Sequence, residues 1–192
     1  MKEILTSAIV LLVTAVALGE EVELYWDDGT PASTIFDAAV TPFATTFTAP
    51  ADCQLMAYRM FWRNMDGSGA NVDVTCRLYA DDNGEPTGDT IFFVDGNTGD
   101  IEDGTWFEVD VSGENIMLSE GEVFHPGWSY PGRGPFMGSQ LDTPKGSGSC
   151  FIYQGGWVDK DQEYTHMMRV VVDTGTSSLS LSTWAGIKNS FQ

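Results

Sequence analysis

The residues in this chain best suited to chemistry are clustered oxygen ligands and turn-borne aromatic rings. Asp81-Asp82-Asn83-Gly84-Glu85, with Asp89 close behind, packs carboxylate and amide oxygens into one short stretch. A calcium ion takes six to eight such oxygens. Asp81, Asp82, Asn83, Glu85 and Asp89 are therefore candidate metal ligands, and calcium is the candidate cofactor. The stretch is not an EF-hand loop, because it lacks the bidentate Glu at the twelfth position. The same residues also spell a hairpin turn, since Asp-Asn-Gly favours positive φ. Asp27-Asp28 before Gly29 is a second, weaker cation candidate. Asp95, Asp100, Glu102 and Asp103 form a third cluster that reads as a solvated loop.

Aromatic rings in loops suit sugars, because pyranose C–H faces stack on them while polar neighbours meet the hydroxyls. Trp128 and Tyr130 lie in Gly127-Trp-Ser-Tyr-Pro-Gly, with Arg133 nearby, and Tyr153 and Trp157 flank Gly155-Gly156. These five are the candidate ligand-binding residues, and the expected target is a carbohydrate or cell-envelope polymer.

Catalysis has weaker support. A nucleophile needs a base within hydrogen-bond reach, and the chain holds only His125 and His166. Cys150 and His166 can be written as a dyad, but no motif surrounds either. Glu108 and Asp110 share a strand face, as paired glycosidase acids do. That pattern is more often a solvated face. Gly-x-Ser-x-Gly, His-Glu-x-x-His and phosphate-binding glycine loops are all missing. The reading is a protein that is not an enzyme and has no catalytic residues.

The elements that must carry these groups begin after residue 19. Lys2 precedes an uncharged run of 15 residues from Ile4 to Leu18, and Ala17-Leu18-Gly19 offers small residues at a cleavage site. The run is short of the ~20 residues that span a bilayer. Residues 1–19 read as a signal peptide, which makes the protein secreted, extracellular or at the cell surface, with no transmembrane span after cleavage.

Residues 20–174 alternate short apolar runs with Gly, Pro and Asp turns. That pattern specifies an all-β fold, an antiparallel two-sheet sandwich of jelly-roll type with roughly ten strands. Gln54 to Arg63 is expected to be a central strand covered on both sides, with Leu55, Ala57, Arg59 and Phe61 facing one way. Val72, Val74, Cys76 and Leu78 alternate inward, with Asp73, Thr75, Arg77 and Tyr79 outward. Leu55, Phe61, Val72, Val74, Leu78, Val170 and Val172 are the expected core. Residues 175–181 read as a linker. In 182–192, Trp184, Ile187 and Phe191 fall on one stripe of a short amphipathic helix, expected to serve attachment rather than folding.

The chain carries nine Lys and Arg against 28 Asp and Glu, a net charge of −19. Such a chain repels phosphate backbones and anionic membranes, so nucleic acid is excluded as a partner. Cys53, Cys76 and Cys150 make an odd count. A Cys53–Cys76 bridge and three free thiols both stay open.

The order "YWDDGTP", "RLYADDNGEPTGD", "GTWFEVDVSG", "GEVFHPGWSY", "GGWVD", "MMRVVVD" resembles a family of uncharacterised secreted β-sandwich modules of extracellular multidomain proteins in Gram-negative bacteria. The ending "STWAGIKNSF" is similar to the Trp-x-x-Ile-Lys tail of such proteins. The resemblance covers about residues 23–173 and implies non-catalytic binding or display. Two alternatives remain: a self-associating subunit of an extracellular coat or filament, and a secreted hydrolase.

Overall fold

The computed structural model describes residues 19–35, 42–64, 73–97, 104–129, 137–142 and 150–175. Residues 1–18 of the expected signal peptide and the tail from 176, with Trp184, Ile187 and Phe191, lie outside the described residues. The strands are β1 (Glu21–Leu24), β2 (Ser33–Ile35), β3 (Phe43–Thr45), β4 (Phe47–Thr48), β5 (Cys53–Asn64), β6 (Asp73–Asp82), β7 (Glu85–Asn97) and β8 (Thr105–Asp110). They continue as β9 (Met117–Leu118), β10 (Val123–Ser129), β11 (Met137–Asp142), β12 (Cys150–Tyr153), β13 (Trp157–Asp159), β14 (Thr165–His166) and β15 (Met168–Asp173).

The strands form two antiparallel sheets. The first has the path β1-β15-β5-β11-β14, with β2 on β11 and with β8 and β9 on β5. The second runs β13-β12-β3-β10-β6-β7, with β4 on β10. β1 pairs with β15 from Glu21↔Asp173 to Leu24↔Val170, so the two ends of the domain lie side by side. No helix among the described residues is long and apolar enough to cross a membrane.

The inner faces make one core. Leu55, Val74, Leu78, Val170 and Val172 are buried in it as the alternation requires. The Tyr58 hydroxyl crosses it to donate to the Arg77 carbonyl of the opposite sheet at 2.9 Å. Val72 lies outside the described residues.

Phe61 corrects the expected phase. On β15, Val171 pairs with Ala57 and Val172 with Leu55, which leaves Met56 as an extra residue on β5. A bulge of this kind re-aims every side chain beyond it. Cys53 and Leu55 therefore point inward before it, and Tyr58, Met60 and Trp62 after it. Phe61 lands on the outer face, edge-on to Trp106 at 5.3 Å. Arg59 shares that face, so β5 is central but its outer side is not a second core.

Tyr79 keeps its expected direction, opposite Leu78, because the register shift beside it places the extra residue, Ile91, on β7. It is nonetheless buried, beside Ala44 and Phe151 on the other face of the second sheet. The Cys53–Cys76 bridge does not form. All three cysteines are free and buried.

Candidate binding site

Tyr153 and Trp157 face each other across the β12–β13 hairpin. Gly155, at φ +81°, makes the turn with a backbone conformation that suits glycine. The two rings meet edge to face at 5.4 Å, and Trp157 also packs on Tyr79 at 4.8 Å. The Trp157 indole Nε1–H donates to the Thr87 carbonyl at 2.8 Å.

That last bond shapes the whole sheet. β13 and β7 are the two ends of a six-strand path. Laid flat, five interstrand spacings of about 4.8 Å would hold them roughly 24 Å apart. The sheet must therefore curl, and it encloses a small second core of Ala44, Tyr79 and Phe151 under Trp157. Gly127 permits the close approach, because a Cβ there would run into the Phe43 carbonyl and the Tyr79 ring. Tyr153 stays 38% exposed at the rim of this curl. Its ring, with the edge of Trp157, is an apolar surface fixed by its neighbours.

Trp128 is a correction. It is fully buried between Phe43, at 5.1 Å, and Trp62, at 5.0 Å. A ring with no face in solvent cannot stack on a ligand; Trp128 is core. Tyr130 and Arg133 lie outside the described residues.

The acidic stretch forms the β6–β7 hairpin. Asn83 and Gly84 have φ of 56° and 94°, the positive pair that a two-residue hairpin of type I′ requires. Asp81 Oδ1 accepts from the Gly84 amide at 2.9 Å and meets His125 Nε2 at 2.9 Å. Asp82 Oδ1 accepts from the Asn83 side chain at 2.8 Å. Glu85 pairs with Asp82 across the turn, and Asp89 lies further along β7. Among the described residues no three His, Cys, Asp or Glu side chains gather as a metal-holding group.

His125 completes a run of hydroxyl, imidazole and carboxylate, with Thr46 Oγ1 at 2.9 Å from Nδ1. In a catalytic relay the imidazole must take a proton. Here burial pulls the His125 pKa down, opposed by the Asp81 hydrogen bond and charge, and the ring has no exposed atom. The arrangement pins the β6–β7 hairpin and the β3–β4 break onto β10.

Cys150 and His166 are equally unsuited to a dyad. Burial pushes the Cys150 thiol up and pulls His166 down to about 4, the reverse of the thiolate–imidazolium pair such a dyad needs. Glu108 and Asp110 do share an outer face. Glu108 accepts from Arg59 at 2.6 Å. Asp110 accepts from the Ser112 amide, and its hydrogen bonds to Ser112 hold it below the usual carboxylate range. A glycosidase acid needs the opposite shift.

The sequence reading missed a charged latch on the outer face of the first sheet. Arg169, on β15, grips Asp27 with two bonds, Nη2 to Oδ1 at 2.6 Å and Nε to Oδ2 at 3.1 Å. It also reaches Glu23 at 3.0 Å. Its guanidinium lies between the Tyr25 ring, 4.7 Å to the centroid, and the Trp106 ring, at 4.2 Å. Arg59 joins Glu23 to Glu108 beside it. Asp27 is buried in this contact, which takes up the carboxylate read above as a weak cation ligand. The available signal was scarcity: nine cations against 28 acids, with Arg59 and Arg169 set in the apolar runs of β5 and β15.

No family model and no curated protein matches this chain. Two solved structures do. The clostridial cysteine protease Cwp84 after propeptide cleavage aligns with 80% of this chain at TM-score 0.57 and 11% identity. A structure of the cysteine protease and lectin-like domains of Cwp84, a surface layer associated protein of Clostridium difficile, aligns with 70% at TM-score 0.52 and 11% identity. The likeness is one of fold. This chain spans 40% and 32% of those two chains.

Proposed function

We propose that this chain is a secreted, non-catalytic binding or display module, and that its target is a carbohydrate or cell-envelope polymer held at Tyr153 and Trp157. The observation that carries the reading is the pinned pair itself. Trp157 is anchored by Tyr79 and the Thr87 carbonyl, and it fixes Tyr153, which keeps 38% of its surface exposed. A ring immobilised before binding loses little freedom when a sugar stacks on it. The signal-like first 19 residues support an extracellular location, as does the fold likeness to a surface-layer-associated protein with a lectin-like domain. The test is a glycan array that includes neutral polysaccharides and peptidoglycan. Retention of folded protein on one sugar class supports the reading, and uniform absence of retention ends it.

One observation favours the alternative of a self-associating subunit. β7 is 13 residues long, ends the path of its sheet, and exposes Ile91 at 59% and Phe93 at 62%. Edge strands of this kind invite pairing with another chain. Light scattering that shows growth with concentration, lost in Phe93→Lys, would support that alternative.

A further inference from the structure

We propose a second sugar-ring subsite, in the cleft between the Glu23–Trp26 segment and β4, with Tyr25 and Trp26 as its aromatic surfaces. It shares the ligand class of the hairpin reading and rests on that reading for this alone; no residue is common to the two patches. The cleft has a volume of about 270 Å³ and is lined by Glu23, Leu24, Tyr25, Trp26, Phe47 and Thr48.

Both rings are held in place by one side. Tyr25 lies on the Arg169 guanidinium at 4.7 Å, and that guanidinium is itself gripped by Asp27 and backed by Trp106. Trp26 stacks on Phe47 with 5° between the planes, and its Nε1–H donates to the Thr46 carbonyl at 2.7 Å. The turn that follows is tied down as well, through the Asp28 amide to Asp142 Oδ2 at 2.7 Å. With these contacts made, Tyr25 remains 53% exposed and Trp26 38% exposed. The core does not need their outward surfaces, and the latch prevents them from collapsing onto it.

The lining chemistry selects the occupant. Two aromatic surfaces suit the C–H face of a pyranose. Glu23 binds both Arg59 and Arg169 yet keeps lone pairs free, because a carboxylate offers about four acceptor sites. Thr48, an exposed residue of the lining, adds a hydroxyl. Glu23 and a net charge of −19 repel phosphate- or uronate-bearing polymers. The volume falls just under the usual range of about 300–1,000 Å³ for ligand pockets, so the cleft takes one ring of a chain rather than a folded partner. The occupant is a neutral pyranose unit.

The experiment is calorimetric titration of the secreted protein with soluble cello-, chito- and xylo-oligosaccharides, repeated on Tyr25→Ala, Trp26→Ala, Trp26→Phe and Tyr153→Ala. Loss of one stacking ring is expected to weaken the best oligosaccharide by roughly three- to tenfold, with Trp26→Phe close to wild type. If Trp26→Ala does not fold, Tyr25→Ala decides, since Arg169 keeps its grip on Asp27 there. Weakening in Tyr153→Ala together with unchanged Tyr25→Ala and Trp26→Ala overturns this subsite and leaves the hairpin reading standing. Weakening only at Tyr25 and Trp26 supports the subsite and overturns the hairpin. Failure of every oligosaccharide to bind wild type overturns the subsite, and retention on the glycan array then decides the hairpin reading separately.

Discussion

The two exposed aromatic patches are built by opposite means. Tyr153 and Trp157 meet across a short glycine turn, and their partners lie within one curled sheet. Tyr25 and Trp26 follow a strand end and owe their positions to two different sheets: Arg169 of the first for one, Thr46 and Phe47 beside the second for the other. The first patch is anchored within one sheet, whereas the second draws on both. A turn flanked by aromatics announces itself in sequence. A latch between residues 142 positions apart does not.

Breaking the latch should give the largest effect. Asp27 has no exposed side-chain surface in its pair with Arg169. Arg169→Ala would strand that carboxylate, a loss of about 3–5 kcal/mol for a broken buried pair. Urea unfolding checks it. A loss below about 1 kcal/mol, the surface-pair value, would mean that the latch is ornamental and the contrast between the patches is false.

Acid should weaken the hairpin side instead. His166 packs on Phe43 at 4.8 Å, and its pKa falls from 6.5 to about 4 through burial, opposed by the Phe151 backbone. The unfolded chain takes up this proton near pH 6.5 and the folded chain only near pH 4. This contribution is fully present above pH 6.5 and is lost as pH falls towards 4, for a total of roughly 3 kcal/mol at about 1.4 kcal/mol per pH unit. His166→Leu should flatten that slope, as thermal melts across the window would show. An unchanged slope would mean the ring is not buried as described.

Smaller effects refine the hairpin itself. Trp157→Phe removes the bond to the Thr87 carbonyl but keeps a ring, at a cost of about 0.5–1.5 kcal/mol in chemical denaturation. Tyr153→Ala should change stability by no more than about 0.5 kcal/mol, as is usual for exposed sites.

The strand pattern was legible because period-two alternation survives wherever pairing is regular. Leu55, Val74, Leu78, Val170 and Val172 fall where that alternation puts them. Alternation failed at Phe61, beyond a bulge that no residue type marks. At Tyr79 it held, but the outward face there is covered by Ala44, Phe151 and Trp157. The hairpin that sets Tyr153 opposite Trp157 was readable from Gly155-Gly156. Trp128 was misread because its flanking glycine looks like a loop signal, whereas Gly127 is there to let Tyr79 and the Phe43 backbone come close. The acidic hairpin carried two meanings, turn and cation loop, and the positive φ of Asn83 and Gly84 accounts for the first. The Arg169 latch depends on partners that only the folded topology brings together.

The central claim is that Tyr153 works in binding and not in folding. The most direct measurement is co-sedimentation of wild type and Tyr153→Ala with insoluble polysaccharides and peptidoglycan, with the melting temperature of each recorded beside it. The account predicts that wild type pellets with one polymer class, and that Tyr153→Ala stays in solution with its melting temperature unchanged. Equal pelleting of the two proteins, or a variant that loses binding only because it unfolds, would contradict it.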